Sequence, residues 1–300
     1  AVAGAGTEVA SAETANTATA SVAVQEVSEV LPSKEVVVAT PNYQLTVDTR
    51  GGKAISFLLQ DYQSTKPRLT LSTWFSFLTS VLGPDYHQFN GDNRVEMLGR
   101  KMESGEAFSI EFEGDAARTA KFAQAVYQSS ADNLFVDGEE AQQLVLTSPV
   151  VEGIQIVKTF TIRPDSYVLD YQAQVINRSA GPILLKMRHF FGENRPSGGS
   201  RFQEFGHKGP VYFFDGELET ETPDEALQEL HVTSMDWLGL EDQYFIAATA
   251  PLTSVRFGFF QSQPGAEAVD TSHFGTRLDL VDLAPNRMVE SGFQVYYGPK

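Results

Sequence analysis

Apolar and polar residues alternate along much of the chain, and the alternation is cleanest between Ile154 and Asn177. Ile154, Ile156, Phe160 and Ile162 share one parity, with Lys158 the exception in the set. Tyr167, Leu169, Tyr171, Ala173 and Val175 share another, and Asp170, Gln172 and Gln174 alternate with them. A period of two places each set on one face of a strand. Arg163-Pro164-Asp165-Ser166 lies between the two arms. Proline fixes φ at the first central position of a turn, and Asp can bond its own backbone just beyond. The pattern predicts a long antiparallel hairpin, apolar on one face, which needs a second layer to cover it.

Shorter alternating runs predict that layer. Val36 to Thr40 and Tyr43 to Thr49 read as strands, followed by a turn at Arg50-Gly51-Gly52, where glycine reaches positive φ without steric cost. Lys53 to Gln60, Phe108 to Phe112, Leu144 to Val150, Ile183 to Phe191, Val211 to Phe214 and Val255 to Gln261 add further strands. Trp237 to Ala250 reads as a strand pair with a corner at Leu240 to Gln243. Ala266 to Phe274, Thr276 to Leu283 and Met288 to Tyr297 complete the set, and Gly298-Pro299 is expected to stop the last strand. Phe293, Val295 and Tyr297 then share one face, with Tyr296 on the other.

Two short segments break the strand period. Trp74, Phe75, Leu78, Val81 and Leu82 recur at helical spacing within Ser72 to Leu82. Thr222-Pro223-Asp224-Glu225 has the form of a helix start, ending near Leu230. Asp115 to Gln128 is ambiguous, Asp85 to Arg100 reads as loop, and Gly192 to Pro210 reads as a long irregular excursion. With fourteen or more strands, one or two short helices and no repeat of fixed period, the fold class is all-β, a large sandwich.

Residues 1–34 show almost no pattern, and the first aromatic is Tyr43. Such a segment buries too little to offset the entropy of ordering it. It is read as a flexible acidic linker, with the folded domain at 35–300. The net charge of −17, from 22 basic and 39 acidic residues, disfavours nucleic acid and anionic membrane surfaces as partners. There is no cysteine, which removes disulfides and thiol chemistry. No apolar run approaches the roughly 18 residues of a membrane span.

Candidate chemistry is sparse. His87, His189, His207, His231 and His273 lack metal-ligand spacing, and are expected to be surface or satisfied histidines. No nucleophile elbow or phosphate-cradling loop occurs. Glu241 and Asp242 point to opposite faces if extended, which makes them a solvated corner rather than an acid–base pair. No catalytic residue, metal site or cofactor is expected.

Four stretches, taken together, resemble the periplasmic domain of YidC-type membrane protein insertases: Leu45-Thr46-Val47-Asp48-Thr49-Arg50-Gly51-Gly52, Lys158 to Leu169, Trp237 to Pro251, and Gln294-Val295-Tyr296-Tyr297-Gly298-Pro299-Lys300. The order and spacing hold from about residue 36 to the last residue. The resemblance implies a galactose-mutarotase-like β-super-sandwich at the periplasmic face of a bacterial inner membrane. Membrane spans would lie outside this sequence. It implies a non-catalytic, monomeric accessory domain whose partners are Sec translocon components and nascent inner-membrane proteins. The insertase groove arginine of the family has no counterpart here. Trp237, Tyr244 and Tyr296 are the expected interaction surface, near the C-terminal exit; Arg50, Gly51, Gly52, Pro164, Gly298 and Pro299 are expected to be turn residues. The alternative is a carbohydrate-binding or mutarotase-like domain.

Overall fold

The computed structural model describes residues 32–63, 94–98, 107–194, 209–220, 235–252, 257–263 and 271–300. In order, the elements are β1 (Glu35–Ala39), β2 (Tyr43–Asp48), β3 (Lys53–Gln63), β4 (Arg94–Glu96), β5 (Ile110–Phe112), α1 (Ala116–Gln124), β6 (Gln128–Ser129), β7 (Asn133–Phe135), β8 (Gln142–Thr147), β9 (Ile154–Ile162), β10 (Val168–Asn177), β11 (Ile183–Asn194), β12 (Gly209–Phe214), β13 (Glu217–Thr220), β14 (Met235–Glu241), β15 (Phe245–Pro251), β16 (Phe257–Gln263), β17 (Thr271–Leu283) and β18 (Met288–Pro299). They form three sheets. Nine strands run in the order β13-β12-β14-β15-β18-β10-β9-β8-β6, five in the order β4-β3-β2-β1-β7, and four in the order β16-β17-β11-β5. This is the all-β super-sandwich that the alternation predicts.

The hairpin β9–β10 lies within the large sheet. Tyr171 faces Phe160 across it, and β18 adds on the other side with Phe293 opposite Tyr171. Burial alternates without a break along both arms of the hairpin. The inward side chains of all three sheets merge into one core. Phe108 sits in it with ring centroids 5.0 Å from Phe160 and 4.8 Å from Tyr171. Tilted and edge-to-face pairs of this kind add about 0.5–1.5 kcal/mol each beyond the area they bury. At the hairpin turn, the Ser166 hydroxyl accepts from the Val168 amide at 3.0 Å.

Several expectations are corrected. The ambiguous stretch after Asp115 holds α1. Asp115 caps it, its carboxylate accepting from the Arg118 amide at 2.9 Å. Only Phe122 of the helix is buried, so no apolar stripe marks it in the sequence. Its alanines and Asp cap were the available signal. The expected loop 85–100 contains β4, while Ser72 to Leu82 and Thr222 to Leu230 lie outside the described residues.

Gly275 does not divide two strands. It lies inside β17, where a Cβ would stand 2.1 Å from the His189 carbonyl oxygen, so the close approach of β11 requires glycine. The expected excursion from Gly192 is strand to Asn194, and Gly209 and Pro210 open β12.

The expected stop at Gly298-Pro299 is also absent. β18 runs to Pro299, which pairs with Phe245, and the Lys300 amide still donates to the Tyr244 carbonyl at 2.9 Å. Successive N–H groups of a strand point to opposite sides, so the donor Pro299 lacks would face away from β15. On that side β10 has already withdrawn, since its ladder with β18 begins at Val168 opposite Tyr296. Proline at this position therefore removes no ladder bond.

Candidate functional site

The first constellation surrounds Lys158, the residue that interrupts the apolar set of β9. Its side chain is 1 % exposed. The ammonium donates to three backbone carbonyls: Gly51 at 2.9 Å, Gly52 at 2.8 Å and Phe108 at 2.8 Å. All three acceptor residues are left-handed, with φ of +77°, +57° and +66°. The ring of Tyr127 lies 5.1 Å from the same ammonium. Gly51 also donates to Ala125 at the end of α1, at 2.8 Å. Lys158 thus ties the Gly51–Gly52 turn of one sheet to the central hairpin of another. Beside it opens a small cleft of about 180 Å³, between Gly51, Ser109, Phe122 and Phe190.

Buried polarity continues along the core. His189, expected to be superficial or satisfied, is instead 0 % exposed, and neither ring nitrogen has a hydrogen-bond partner. It packs on Phe293, centroids 5.1 Å apart, and stands near Tyr171. Burial, helped by the charge of Lys158, lowers its pKa to about 3. His273 is buried as well; the other three histidines lie outside the described residues. Burial also raises the Tyr171 and Tyr297 phenols. Glu113 meets Lys186 at 2.8 Å and Arg277 at 2.9 Å, with Arg188 near. Burial pushes its carboxyl up, but the bond to Lys186 and the arginine charges outweigh that and hold it low. Among the described residues no group of three His, Asp or Glu side chains converges to hold a metal.

The second constellation is the C-terminal edge of the large sheet. Asp242 closes the β14–β15 turn, accepting from Tyr244 and Phe245 amides at 2.8 and 2.7 Å. Lys300 bonds Glu241 at 2.9 Å; that carboxylate is 11 % exposed and braced, while Asp242 beside it is exposed to solvent. Tyr244 stands out at 62 % exposure. The Tyr296 hydroxyl donates to the Pro299 carbonyl at 2.6 Å, folding back over Gly298. A Cβ on Gly298 would sit 2.8 Å from that hydroxyl oxygen. Phe293, Val295 and Tyr297 point inward, and Tyr296 is on the outer face.

Of the expected surface residues, Tyr244 and Tyr296 gather at this end, while Trp237 does not. It lies towards the other end of β14, opposite Phe213, with the two rings parallel to within 3° and centroids 6.4 Å apart. Trp237 and Tyr296 nevertheless share the outer face. Gly239, two residues on from Trp237, faces Ala248, which faces Tyr296. Across the sheet Ala250 faces Gln294, Gln294 faces Asp170, Asp170 faces Thr161, and Thr161 faces Gln143. Of the outward positions on β8, β9, β10 and β18, only Asp170 and Glu290 are charged. Asp170 pairs with Arg163 at 2.5 Å, and Glu290 accepts from Gln174 at 2.8 Å. The rest of that face is Gln, Thr, Val and Gly, with Ile176, Tyr296 and the exposed Met288.

The architecture defines the class as a galactose-mutarotase-like β-sandwich. Solved structures with this fold include a galactose mutarotase related enzyme from Lactobacillus acidophilus, with TM-score 0.52 and 9 % identity over 88 % of this chain and 97 % of that one. A galactose mutarotase-like protein from Lactobacillus casei matches with TM-score 0.51 and 11 % identity over 88 % of this chain and 100 % of that one. At such identity the likeness concerns the fold alone. The sequence then narrows the class: the model of the YidC periplasmic domain matches residues 68–300, and the chain belongs to that family. It is 24 % identical to the membrane protein insertase YidC of Syntrophus aciditrophicus over 89 % of this chain and 44 % of that protein. It is 26 % identical to that of Geobacter sulfurreducens over 70 % of this chain and 34 % of that protein. The chain thus spans less than half the length of these relatives. Among its described residues no helix is long and apolar enough to cross a membrane.

Proposed function

We propose that this chain is a non-catalytic accessory domain of a membrane protein insertase and chaperone. It stands at the periplasmic face of a bacterial inner membrane, held by spans outside this sequence. Its partners are nascent inner-membrane proteins and components of the Sec translocon, and it contacts them as a monomeric domain. Family membership carries the reading. The braced C-terminal edge supports it: β18 is paired on both sides, and Lys300 is tied to Tyr244, Glu241 and Asp242. A chain continuing past Lys300 would emerge from a fixed edge, with Tyr244 beside it as the exposed contact. The test is site-specific photocrosslinking in the full-length protein, with probes at Tyr244 and Tyr296. Crosslinks to nascent chains or translocon subunits from these positions are expected; crosslinks solely from the opposite end of the sandwich would reverse the working face.

The second reading, a mutarotase-like enzyme, has the fold in its favour. Against it, His189 and His273 are buried in the sandwich, where a sugar cannot meet an imidazole acting as acid or base. Anomer interconversion of aldoses by the purified domain, above the buffer rate and lost on histidine substitution, would restore it.

A further inference from the structure

Each of the three sheets ends in two edge strands, where one row of main-chain groups has no neighbouring strand. Most of these rows are short or covered. β6 has two residues, and β4, β5 and β7 have three each. Ile110 and Phe112 of β5 are buried, and so is the centre of β16 at Gly258 to Phe260. The Phe135 carbonyl of β7 accepts from the Gln142 amide at 3.2 Å. β13 differs: its residues from Glu217 to Thr220 are all exposed, Leu218 at 58 %. The turn that leads into β13 fixes which groups face outwards. Phe214 pairs with Glu217 across Asp215-Gly216, and both turn residues are left-handed, with φ of +51° and +83°. This is the two-residue primed turn of a tight hairpin, whose flanking pair exchanges both its hydrogen bonds. Alternation gives the next such pair to Tyr212 and Glu219. The N–H and C=O groups of Leu218 and Thr220 therefore point away from β12, to the open side. Leu218 shares a face with Phe213, its partner on β12, while Glu217 and Glu219 lie on the other face.

We propose that β13 is a strand-addition site for an extended peptide in which an apolar residue lies between two basic ones. Added antiparallel, such a peptide meets Leu218 and Thr220 in hydrogen-bonded pairs, and its main chain supplies the affinity. The residue opposite Leu218 is apolar, to match the exposed leucine. Those opposite Glu217 and Glu219 lie beside the carboxylates, and a lysine there makes a cross-strand pair of opposite charge. The same charges select against a second copy of this chain. In an antiparallel pair of β13 strands, Leu218 set against Leu218 brings Glu217 against Glu219, and Leu218 set against Thr220 brings Glu219 against Glu219. Like charges directly opposite are destabilising. The carboxylates thus keep the edge from self-pairing while leaving it open to a basic strand. The inference rests on the main chain of this hairpin and not on the insertase reading, and it is tested without membranes or translocon components.

The experiment adds an acetylated and amidated heptapeptide of alternating Lys and Val to the purified chain and follows binding and amide exchange by NMR. At a peptide concentration about ten times the dissociation constant, exchange at Leu218 and Thr220 is expected to slow by about tenfold. Leu218→Pro deletes an outward N–H and no ladder bond, so the hairpin is kept and affinity should fall by about tenfold or more. Glu217→Lys combined with Glu219→Lys should lose the Lys-Val peptide and bind the matching Glu-Val peptide, a gain that a misfolded variant cannot show. The proposal is overturned if exchange at Leu218 and Thr220 is unchanged at about 10 mM peptide. It is also overturned if a peptide N-methylated at its valines binds as the parent peptide does, or if the charge-reversed chain keeps its preference for the Lys-Val peptide. Protection of the same amides that grows with protein concentration in the absence of peptide, and is lost in Leu218→Pro, would give the edge to a second copy and overturn it as well.

Discussion

The ammonium of Lys158 and the carbonyl oxygen of Phe108 stand 2.8 Å apart, fifty residues distant in sequence. Phe108 reaches this position with φ at +66°, where a bulky side chain is strained. Its ring is meanwhile clamped by Phe160, Tyr171 and Phe191. Core packing therefore over-determines the residue, and the carbonyl it presents completes the tripod begun by Gly51 and Gly52. One lysine gathers the turn of the first sheet, the approach to β5 and the central hairpin.

Substitution of Lys158 by Met keeps the aliphatic volume and removes the three donors. Each buried carbonyl left unmet costs about 1–3 kcal/mol. The relief from no longer burying an ammonium offsets part of that. A net loss of about 3 kcal/mol is expected in urea unfolding, with an unchanged slope against denaturant. A variant as stable as the parent would mean that the tripod merely occupies a lysine that the core could replace.

The two glycines should differ in how they tolerate a methyl group. A Cβ on Gly51 meets the Ala123 backbone oxygen at 3.0 Å, which cannot retreat without moving α1; on Gly52 it meets the Tyr127 ring at 3.1 Å. Both lie at positive φ, where alanine is strained. Gly51→Ala is expected to cost about 1–2 kcal/mol. Gly138→Ala, with open space around the new methyl, should be close to neutral. Thermal melts of the variants decide the matter; equal melting temperatures for Gly51→Ala and Gly138→Ala would remove the packing argument.

Much of this fold was legible because strand parity is a local property. The inward sets of β9 and β10 are spelled out in order, and they fix which face is covered. The tripod was not legible, since parity marks Lys158 only as a polar residue in an apolar row. Its acceptors are backbone atoms up to 107 positions away, and backbone carbonyls leave no trace in the identities of side chains. α1 was missed because a single buried residue gives no periodicity. Gly275 and Gly298 were misread as breaks, because a glycine required by close approach looks like one required by a turn. The family motifs located the C-terminal edge, but pairing across three strands was needed to show that Trp237 belongs to the flank of the outer face rather than to the exit.

Acid should expose the unpaired state of His189. Its folded pKa of about 3 lies below the ordinary 6.5, so the unfolded chain binds the extra proton between those values. Stability is then fully present above about pH 6.5 and falls as the pH drops towards 3, by roughly 1.4 kcal/mol per pH unit within that window. The charged group acting on the imidazole is Lys158, whose repulsion adds to the effect of burial. His189→Phe removes the titration and suits the contact with Phe293. Stability curves of parent and variant between pH 7 and pH 4 should converge at neutral pH less than they diverge in acid. Parallel curves would place the acid sensitivity elsewhere, with Glu113 the next group to substitute.

Gly298 offers a way to loosen the C-terminal edge without touching the core. A β-carbon there would collide with Tyr296, whose hydroxyl oxygen lies 2.8 Å from the ideal position and whose ring carbon lies at 2.9 Å. Gly298→Ala should therefore expel the Tyr296 hydroxyl from the Pro299 carbonyl and fray the last pairs, Ile246 with Gly298 and Phe245 with Pro299. The inward residues Phe293 and Val295 lie further along β18 and stay buried, so global unfolding should shift by less than about 1 kcal/mol. Amide exchange at Lys300 is expected to accelerate by about tenfold or more, corresponding to a local loss of about 1.4 kcal/mol, while exchange at Tyr171 is unchanged. In the full-length protein the same substitution should reduce crosslinking from Tyr244, because the contact would no longer be held at a fixed angle to the edge. If amide exchange accelerates and crosslinking does not change, the edge is stiff for reasons of folding alone, and docking does not depend on its rigidity.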